Sequence, residues 1–299
     1  EWFCGKTDLA HGTFHDLPAT RKAIRVVTVH DLSFILYPET HTPETVSVQT
    51  RLVKHAVTHA DAIEAVSESC KSDLMEVFNI PPEKIHVVPG GVKLEDYNAP
   101  MDVAALAQVK RALGISRNYF IHLGTIEPRK NLPRLLNAYA RIRQRFHEYP
   151  QLVLVGARGW KADATLEAIK HHDFGNDVIV AGWVPRETAI LLLRGAAACV
   201  YPSLYEGFGL PVLEAMAARV PVITSTTGAL REVSGGNCIF VDPLNVESIE
   251  AGLDLFLAKP DMAATRAQAA YQRAKEMTWE ASAVKLENLY RTLLKQKET

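Results

Sequence analysis

The sequence predicts an α/β protein built on parallel sheets. Short, nearly continuous apolar runs alternate with helical patterns along the chain. Such runs are typical of parallel strands that helices cover on both faces. A strand with one solvent-exposed face shows alternating apolar and polar residues instead. The length of 299 residues and the 47% content of hydrophobic residues allow two domains of ordinary size, each with its own core.

The predicted elements follow from the length and period of each run. A first strand is expected at Asp8-Leu-Ala-His-Gly. The further strand candidates, in chain order, are Ile24–Val29, Ala62–Val66, Ile85–Val88, Tyr119–Leu123, Leu152–Val155, Val178–Ala181, Ala198–Tyr201, Val220–Thr224 and Ile239–Val241. Helical patterns lie at 44–59, 68–78, 103–113, 131–148, 161–171, 186–196, 211–218 and 246–258, and helices continue to about Lys295.

The stretch from Leu94 to Asn118 is more polar, lacks a strand and contains Pro100 and Gly114. We therefore expect a domain junction there, because linkers are polar and rich in turn residues. The predicted division is an N-terminal Rossmann-like domain at 1–115, a C-terminal one at 116–280, and a final helix at 281–299.

Composition excludes some classes of function. The net charge is −1, so no global positive field indicates a nucleic-acid partner. No apolar stretch reaches membrane-spanning length, and residues 1–20 do not resemble a signal peptide. These features predict a cytoplasmic protein. Arg141, Arg143 and Arg145 suit either a solvated helix face or contact with anionic lipid at the membrane.

The cysteines also indicate a reducing compartment. Cys4, Cys70, Cys199 and Cys238 are scattered and form no Cys-x-x-Cys pair. Cys199 and Cys238 stand in apolar runs, where we expect buried free thiols rather than a disulfide framework.

The most informative segment follows the strand that ends at Tyr201. Two carboxylates, Glu206 and Glu214, bracket a glycine-rich turn that leads into an apolar helix. The turn and helix start are Gly207, Phe208, Gly209 and Leu210. Backbone amides and the helix dipole at such a start favour an anion, and carboxylates accept hydrogen bonds from sugar hydroxyls. The segment therefore indicates a nucleotide sugar, although an ordinary strand-to-helix connection has the same glycines and proline.

The stretch from Glu206 to Glu214 resembles the E-x7-E signature of retaining glycosyltransferases of family four, which have the GT-B fold. The resemblance covers nearly the whole chain from about Asp8. It implies two Rossmann-like domains facing a cleft, transfer of a hexose with retention of configuration, and no metal. A complete first domain of this family starts with a strand and a glycine-rich loop, so we expect the N-terminal domain here to be incomplete.

A second motif follows the strand that ends at Leu123. Many family members carry an arginine directly after the glycine that corresponds to Gly124, and a lysine five residues later. Here Thr125 replaces the arginine, Lys130 matches the lysine, and Arg129 supplies a second charge. The resemblance assigns these cations to the donor diphosphate. The alternative is a solvated pair of charges, although a helix start disfavours cations.

The resemblance implies further roles. His30, at the end of an apolar strand, faces the transferred sugar; Asp31 orients its ring or caps the next turn. Glu206 binds sugar hydroxyls and Glu214 the ribose, while the amides of residues 207–210 bind the diphosphate.

The resemblance also implies that the backbone at Val184 lines the nucleobase. For the neighbouring Trp183, a side chain packed in a plain strand-to-loop turn is the alternative. The sequence His30-Asp-Leu-Ser-Phe34 is most similar to mannosyltransferase-type members, which favours GDP-mannose over a UDP-sugar as donor.

Two classes of function remain open from the sequence. The first is a glycosyltransferase that acts on a glycan or lipid-linked acceptor, peripheral at the inner face of the membrane. The second is a non-catalytic or split-enzyme protein that binds nucleotide sugars. An epimerase or phosphorylase of the same fold is a third, less favoured interpretation. Turnover of a donor by the isolated chain separates the first two.

Overall fold

The computed structural model describes residues 7–20 and 22–298, so Cys4 lies outside the described part. The strands are β1 (Leu9–Gly12), β2 (Ile24–Val29), β3 (Ala62–Ala65), β4 (Ile85–Val87), β5 (Tyr119–Leu123), β6 (Gln151–Val155), β7 (Val178–Gly182), β8 (Ala198–Tyr201), β9 (Val222–Ser225) and β10 (Ile239–Val241). All of the predicted strands are present.

The helices alternate with these strands. They are α1 (Ser33–Leu36), α2 (Pro43–His59), α3 (Glu68–Phe78), α4 (Leu94–Asn98), α5 (Val103–Leu113), α6 (Leu132–Arg145), α7 (Asp163–His172), α8 (Arg186–Arg194), α9 (Leu210–Ala217), α10 (Leu230–Ser234), α11 (Val246–Ala258), α12 (Pro260–Ala274) and α13 (Trp279–Glu298). Among the described residues, every helix is too short or too polar to cross a bilayer.

Two compact units divide the chain. One comprises the residues up to Gly91 together with 206–208 and the residues from Met277 onward. The other comprises Val92–Tyr205 and Gly209–Glu276. The stretch predicted as a junction, 94–118, thus belongs to the second unit, whereas α13 belongs to the first.

The first unit contains a parallel sheet of order β1-β2-β3-β4. Its strands pair in simple succession, with Val26 opposite Ala62 and Ile63 opposite Ile85. Helix α13 packs Leu289 and Leu293 against Val26 and Ala62, so the C-terminal helix completes this core.

The second unit contains a six-stranded parallel sheet of order β10-β9-β8-β5-β6-β7. The strands run outward from β5 to β7 on one side, and β8 then returns to pair with β5 on the other. The succession of strands therefore reverses between β5 and β8. In open α/β sheets, ligands bind outside the carboxyl ends of the strands at this point.

Local chemistry explains several helix boundaries. Helix α3 begins after Ser67, whose hydroxyl accepts from the Cys70 amide at 2.9 Å, and it ends at the left-handed residue Asn79. Helix α5 begins after Asp102, which caps the Ala105 amide at 2.8 Å. Such caps satisfy amides that have no partner inside the helix and stabilise it by about 1 kcal/mol.

The basic stretch on α6 forms ion pairs with the neighbouring helix. Arg141 contacts Glu247 and Glu250, and Arg145 contacts Glu250 and Asp254 on α11. These arginines thus link two helices of the second unit and are not simply solvated.

The cysteine prediction is confirmed where the structure describes it. Cys70, Cys199 and Cys238 are buried thiols that take part in no disulfide. Burial raises the pKa of the Cys238 thiol to about 12 and that of Cys199 further, so both are protonated at neutral pH.

Candidate donor-binding site

Lys130 lies at the reversal point between β5 and β8. A 3-10 turn after β5, Pro128–Lys130, carries this residue into the interior, where it is 7% exposed. Its ammonium donates to the Tyr201 hydroxyl at 2.7 Å, and Tyr201 is the last residue of β8. The tyrosine ring stacks on His122 of β5. The lysine is thus held between the two strands that flank the reversal point.

Arg129 and Lys130 share a buried carboxylate. Arg129 Nη2 donates to Glu127 Oε1 at 2.9 Å, and Lys130 Nζ lies 4.0 Å from the same oxygen. Glu127 is only 3% exposed. The alternative of a solvated charge pair is therefore wrong, because both cations are largely buried beside a carboxylate.

Sequence reasoning missed Glu127 as a functional residue. The signal was present in the sequence Glu127-Pro-Arg-Lys130, which follows a strand. Glu127 stands two positions before Arg129 and three before Lys130, a spacing that indicates ion pairs with both.

Arg129 Nη1 also donates to the Tyr205 carbonyl at 3.0 Å. The arginine therefore fixes part of the loop that leads from β8 to α9.

Other polar side chains tie the same loop to the sheet. Asn131 has a left-handed backbone and donates to the carbonyls of Pro202 and Pro243 at 3.0 and 2.6 Å. Ser225 and Thr227 both donate to the Ser203 carbonyl. These bonds give the loop one defined path at the carboxyl ends of β8 and β9.

Helix α9 begins without a side-chain cap. Gly209 is the capping residue with a φ of 96°, a left-handed value that favours glycine, and Leu210 follows half-exposed. An uncapped start leaves backbone amides for an anion, with the helix dipole in the favourable sense. Phosphate binding by residues 207–210 stays a prediction.

Residues 206–208 pack within the first unit instead. Ser67 Oγ donates to the Gly207 carbonyl at 2.7 Å, and a Cβ on Gly207 would lie 1.9 Å from the His30 carbonyl oxygen. Glu206 is 6% exposed and Phe208 is also buried. Gly207 is thus required for close backbone approach, a role that the sequence alone did not reveal.

His30 is exposed at the end of β2 and donates from Nε2 to the Thr13 carbonyl at 2.8 Å. Asp31 accepts from both the amide and the hydroxyl of Ser33. Asp31 therefore caps the following turn, the second of the two roles considered for it.

Glu214 lies one turn into α9 within a polar cluster. Arg186 Nη1 donates to its carboxylate at 3.4 Å. Burial raises the pKa of Glu214, whereas Tyr97 and Arg186 lower it. Sequence reasoning missed Tyr97 and Arg186, because neither belongs to the motifs around Glu214.

Val184 is half-buried between β7 and α8. The adjacent Trp183 is 74% exposed, so the packed-tryptophan alternative is wrong.

The predicted site residues divide between the two units. Arg129, Lys130, Gly209, Leu210, Glu214 and Val184 belong to the second unit, and His30, Glu206, Gly207 and Phe208 to the first.

The histidines at the end of α7, which superficially suggest a metal site, have other partners. His172 hydrogen-bonds Asn137, and Asp177 pairs with Arg117 and Arg143. Within 7–20 and 22–298, no group of three or more histidines, cysteines or carboxylates is placed to hold a metal ion.

Comparison with known proteins agrees with this geometry. The family model "Glycosyl transferases group 1" matches residues 108–273, and "Glycosyltransferase Family 4" matches residues 6–96. The chain is 31% identical over 288 residues to the O-antigen chain mannosyltransferase B of Escherichia coli, across 96% of this chain and 75% of that protein.

Solved structures have the same fold. Sucrose-phosphate synthase from Thermosynechococcus elongatus matches with a TM-score of 0.76 at 24% identity, over 93% of this chain and 69% of that one. HepE from Anabaena, in complex with UDP-glucose, matches with a TM-score of 0.73 at 20% identity, over 90% and 71%. The predicted GT-B type of α/β fold is confirmed.

The first family model covers more than half of the sequence, including the turn after β5 and the segment from Glu206 to Glu214. The resemblance noted from those motifs is thus confirmed, and the chain belongs to the glycosyl transferases group 1 family.

Proposed function

We propose that this chain transfers a hexosyl group from a nucleotide diphosphate sugar to a glycan or lipid-linked acceptor, with retention of configuration. The buried cluster of Glu127, Arg129 and Lys130 carries the proposal. It places two cations at the sheet's reversal point and is hydrogen-bonded to the loop that leads to the start of α9. A diphosphate is the anion that such a site favours.

The donor is a GDP- or UDP-sugar. The similarity to an O-antigen mannosyltransferase favours mannose, and hence GDP-mannose. The similarity to a structure in complex with UDP-glucose supports a UDP-sugar instead. Both share the diphosphate, so the cationic cluster does not distinguish them. The choice of base depends on the backbone near Val184.

In the transfer step, the bond between the anomeric carbon and the phosphate oxygen breaks, and the nucleoside diphosphate leaves with the bonding pair. The acceptor hydroxyl oxygen bonds to that carbon, and its proton passes to a leaving phosphate oxygen. Arg129, Lys130 and the amides of Gly209 and Leu210 stabilise the charge that develops. Fixed donors of this kind act without reorganisation and are usually the largest contribution to the rate.

The remaining predicted residues orient the donor. Glu206 accepts hydrogen bonds from the hydroxyls of the sugar, and Glu214 from those of the ribose, because ionised carboxylates are strong acceptors. His30 contacts the transferred sugar. We propose that the acceptor is reached at the inner face of the membrane, where a peripheral enzyme meets lipid-linked glycans.

Kinetics of point variants test the proposal. Lys130→Met should lower kcat for sugar transfer by about 100-fold, the effect of removing one preorganised donor to a developing charge. Glu206→Ala and His30→Ala should also lower transfer. Lys170→Met, which removes an exposed lysine on α7, is the matched control and should be unchanged. Wild-type rates in all three site variants would refute the assignment.

The donor is identified by thermal shift with GDP-mannose, UDP-glucose and the corresponding free diphosphates. A ligand that binds only the folded state raises its stability by mass action, by about 2.7 kcal/mol at one hundred times Kd. A ligand that raises the Tm but is neither transferred nor hydrolysed would indicate the binding-only function.

A further inference from the structure

A buried histidine outside the predicted motifs contacts the backbone of His30. His15 is 4% exposed and lies in the first unit, in the loop that follows β1. Its amide donates to the Thr28 carbonyl of β2 at 3.1 Å, and its φ of 50° is left-handed. Such a value is uncommon for a residue other than glycine, and residues held in this way cluster at functional sites.

Hydrogen bonds determine which nitrogen of the His15 ring carries the proton. The His30 amide donates to Nε2 of His15 at 3.3 Å, so Nε2 is the unprotonated nitrogen. Nδ1 then carries the hydrogen and donates it to Oε1 of Gln49 on α2, also at 3.3 Å. A doubly protonated ring would present an N–H to the His30 amide and lose this bond. The contact with His30 therefore requires the neutral ring.

The surroundings of His15 favour that neutral form. Burial is the largest influence and lowers the pKa of His15, and the nearby His30 lowers it further. The hydrogen bond to Gln49 and the carboxylates of Asp31 and Asp16 raise it to a smaller extent. The net effect is a lowered pKa, so the His15 ring is uncharged at neutral pH.

Two phenylalanine rings restrict the His15 imidazole. Phe14 stacks on it with ring centroids 4.7 Å apart and an angle of 13° between the planes. Phe34 of α1 lies 5.7 Å away, centroid to centroid. Together with the bond to Gln49, these contacts leave Nε2 one direction. The hydrogen-bond acceptor for the His30 amide therefore has a defined position.

His30 is held at three points within the first unit. Its amide binds His15, its Nε2 donates to the Thr13 carbonyl at 2.8 Å, and its own carbonyl lies where a Cβ on Gly207 would approach to 1.9 Å. Because a carbonyl oxygen only accepts, Nε2 carries the proton of a neutral His30 ring. Nδ1 then has a lone pair that can accept from a sugar hydroxyl. The loop from Thr13 to His15 thus sets both the backbone and the ring of His30.

We propose that His15 is a positioning residue, which fixes His30 for contact with the transferred sugar by accepting a hydrogen bond from its backbone amide. This inference rests on the proposed function, because it takes the sugar contact of His30 as its starting point. A ring that is already fixed offers the sugar its acceptor nitrogen in one place, and no ordering is needed on binding.

The first test measures how much the sugar adds to donor affinity. Calorimetry gives the Kd values of GDP-mannose and GDP, or of UDP-glucose and UDP if the thermal shift selects that base. His15→Phe keeps an aromatic ring but has no acceptor for the His30 amide. The ratio of the two Kd values should change about tenfold against the nucleotide sugar, the effect of one misplaced hydrogen bond, while the affinity for the free diphosphate is unchanged.

His86→Phe is the matched control, because it removes a half-buried imidazole from β4 of the same sheet. It should keep the wild-type ratio. If His15→Phe keeps that ratio too, or changes only the Tm, the positioning role is refuted. If His30→Ala keeps the wild-type ratio, the sugar contact of His30 itself has failed, which refutes that part of the proposed function and the inference with it.

The second test is the pH profile of Gln49→Glu. A carboxylate at this position pairs with a protonated His15 and raises its pKa. Because the bond from the His30 amide needs the neutral ring, its contribution is present above this pKa and is lost as the pH falls through it. The acid limb of kcat/KM, which reports the free enzyme, should therefore move to higher pH. Gln108→Glu makes the same change at an exposed position of α5 and should leave the limb in place.

A spectroscopic readout tests the ring of His15 independently of transfer. Nitrogen NMR of the histidine-labelled protein at neutral pH should show Nδ1 of His15 protonated and Nε2 unprotonated. A ring protonated at Nε2 would overturn the proposal, whether or not the chain transfers sugar. An acid limb of Gln49→Glu that coincides with that of Gln108→Glu would overturn it as well.

Discussion

At the scale of single residues, the candidate site depends on how buried charges are compensated. Lys130 and Arg129 leave water for a largely enclosed position, which costs free energy unless a counter-charge is present. Glu127 provides a counter-charge to both cations. In the proposed function the same two cations bind the donor diphosphate.

We expect Glu127→Gln to lower the free energy of unfolding by about 3 kcal/mol, because breaking a buried ion pair leaves the partner charges uncompensated. Urea denaturation measures this. Inorganic pyrophosphate should raise the Tm of the variant by more than that of the wild type, since the variant has one negative charge fewer beside Arg129 and Lys130. Glu287→Gln, in an exposed pair with Arg291, is the control and should be unaffected. Equal stability of Glu127→Gln and wild type would contradict this account.

At the scale of elements, the sequence predicted most of the fold because each long element carries its own evidence. The helices 68–78, 103–113 and 246–258 were predicted with the bounds that the structure has. Their apolar period and their caps are both local features. In contrast, α1, α4 and α10 span four or five residues, which is too short for a helical period to be recognised.

The candidate site was predictable to the same extent. Arg129, Lys130 and the glycine-rich turn stand in local patterns after strands, so their placement followed from the strand ends. The residues that contact them could not be predicted in this way. Tyr201 meets Lys130 across 71 positions of the chain, and Arg186 meets Glu214 across 28. Pairing between distant residues depends on tertiary packing, which no local pattern records.

The segment between β8 and α9 has a steric requirement at one position. A Cβ on Gly207 would lie 1.9 Å from the His30 carbonyl oxygen, so Gly207→Ala must displace residues 206–208. We expect sugar transfer to fall by about tenfold or more, since small misplacements of a catalytic group are costly. Gly175→Ala is the control: its φ of 55° is unfavourable for alanine, unlike that of Gly207, but no atom lies within 4 Å. Transfer rates that are equal in both variants would contradict the steric argument.

At the scale of the whole molecule, each unit contains a hydrophobic cluster, and the C-terminal helix returns to complete the one in the first unit. In addition to the apolar contacts of Leu289 and Leu293, α13 makes polar contacts with the first unit. The Tyr290 hydroxyl contacts His11 Nδ1 at 2.5 Å, and Ser282 donates to the Pro89 carbonyl at 2.6 Å. The last helix is thus an integral layer of that unit.

We therefore expect Leu289→Ala to destabilise the first unit by about 2–4 kcal/mol, the range for removing a buried leucine side chain. Leu289 is 7% exposed, whereas Val284 on the same helix is 57% exposed and supplies the control Val284→Ala. Hydrogen exchange followed by mass spectrometry locates the effect, because protection reports local stability. Protection should fall in β2 and β3 and persist in β5 and β6; equal loss in both sheets would mean that the two cores unfold as one.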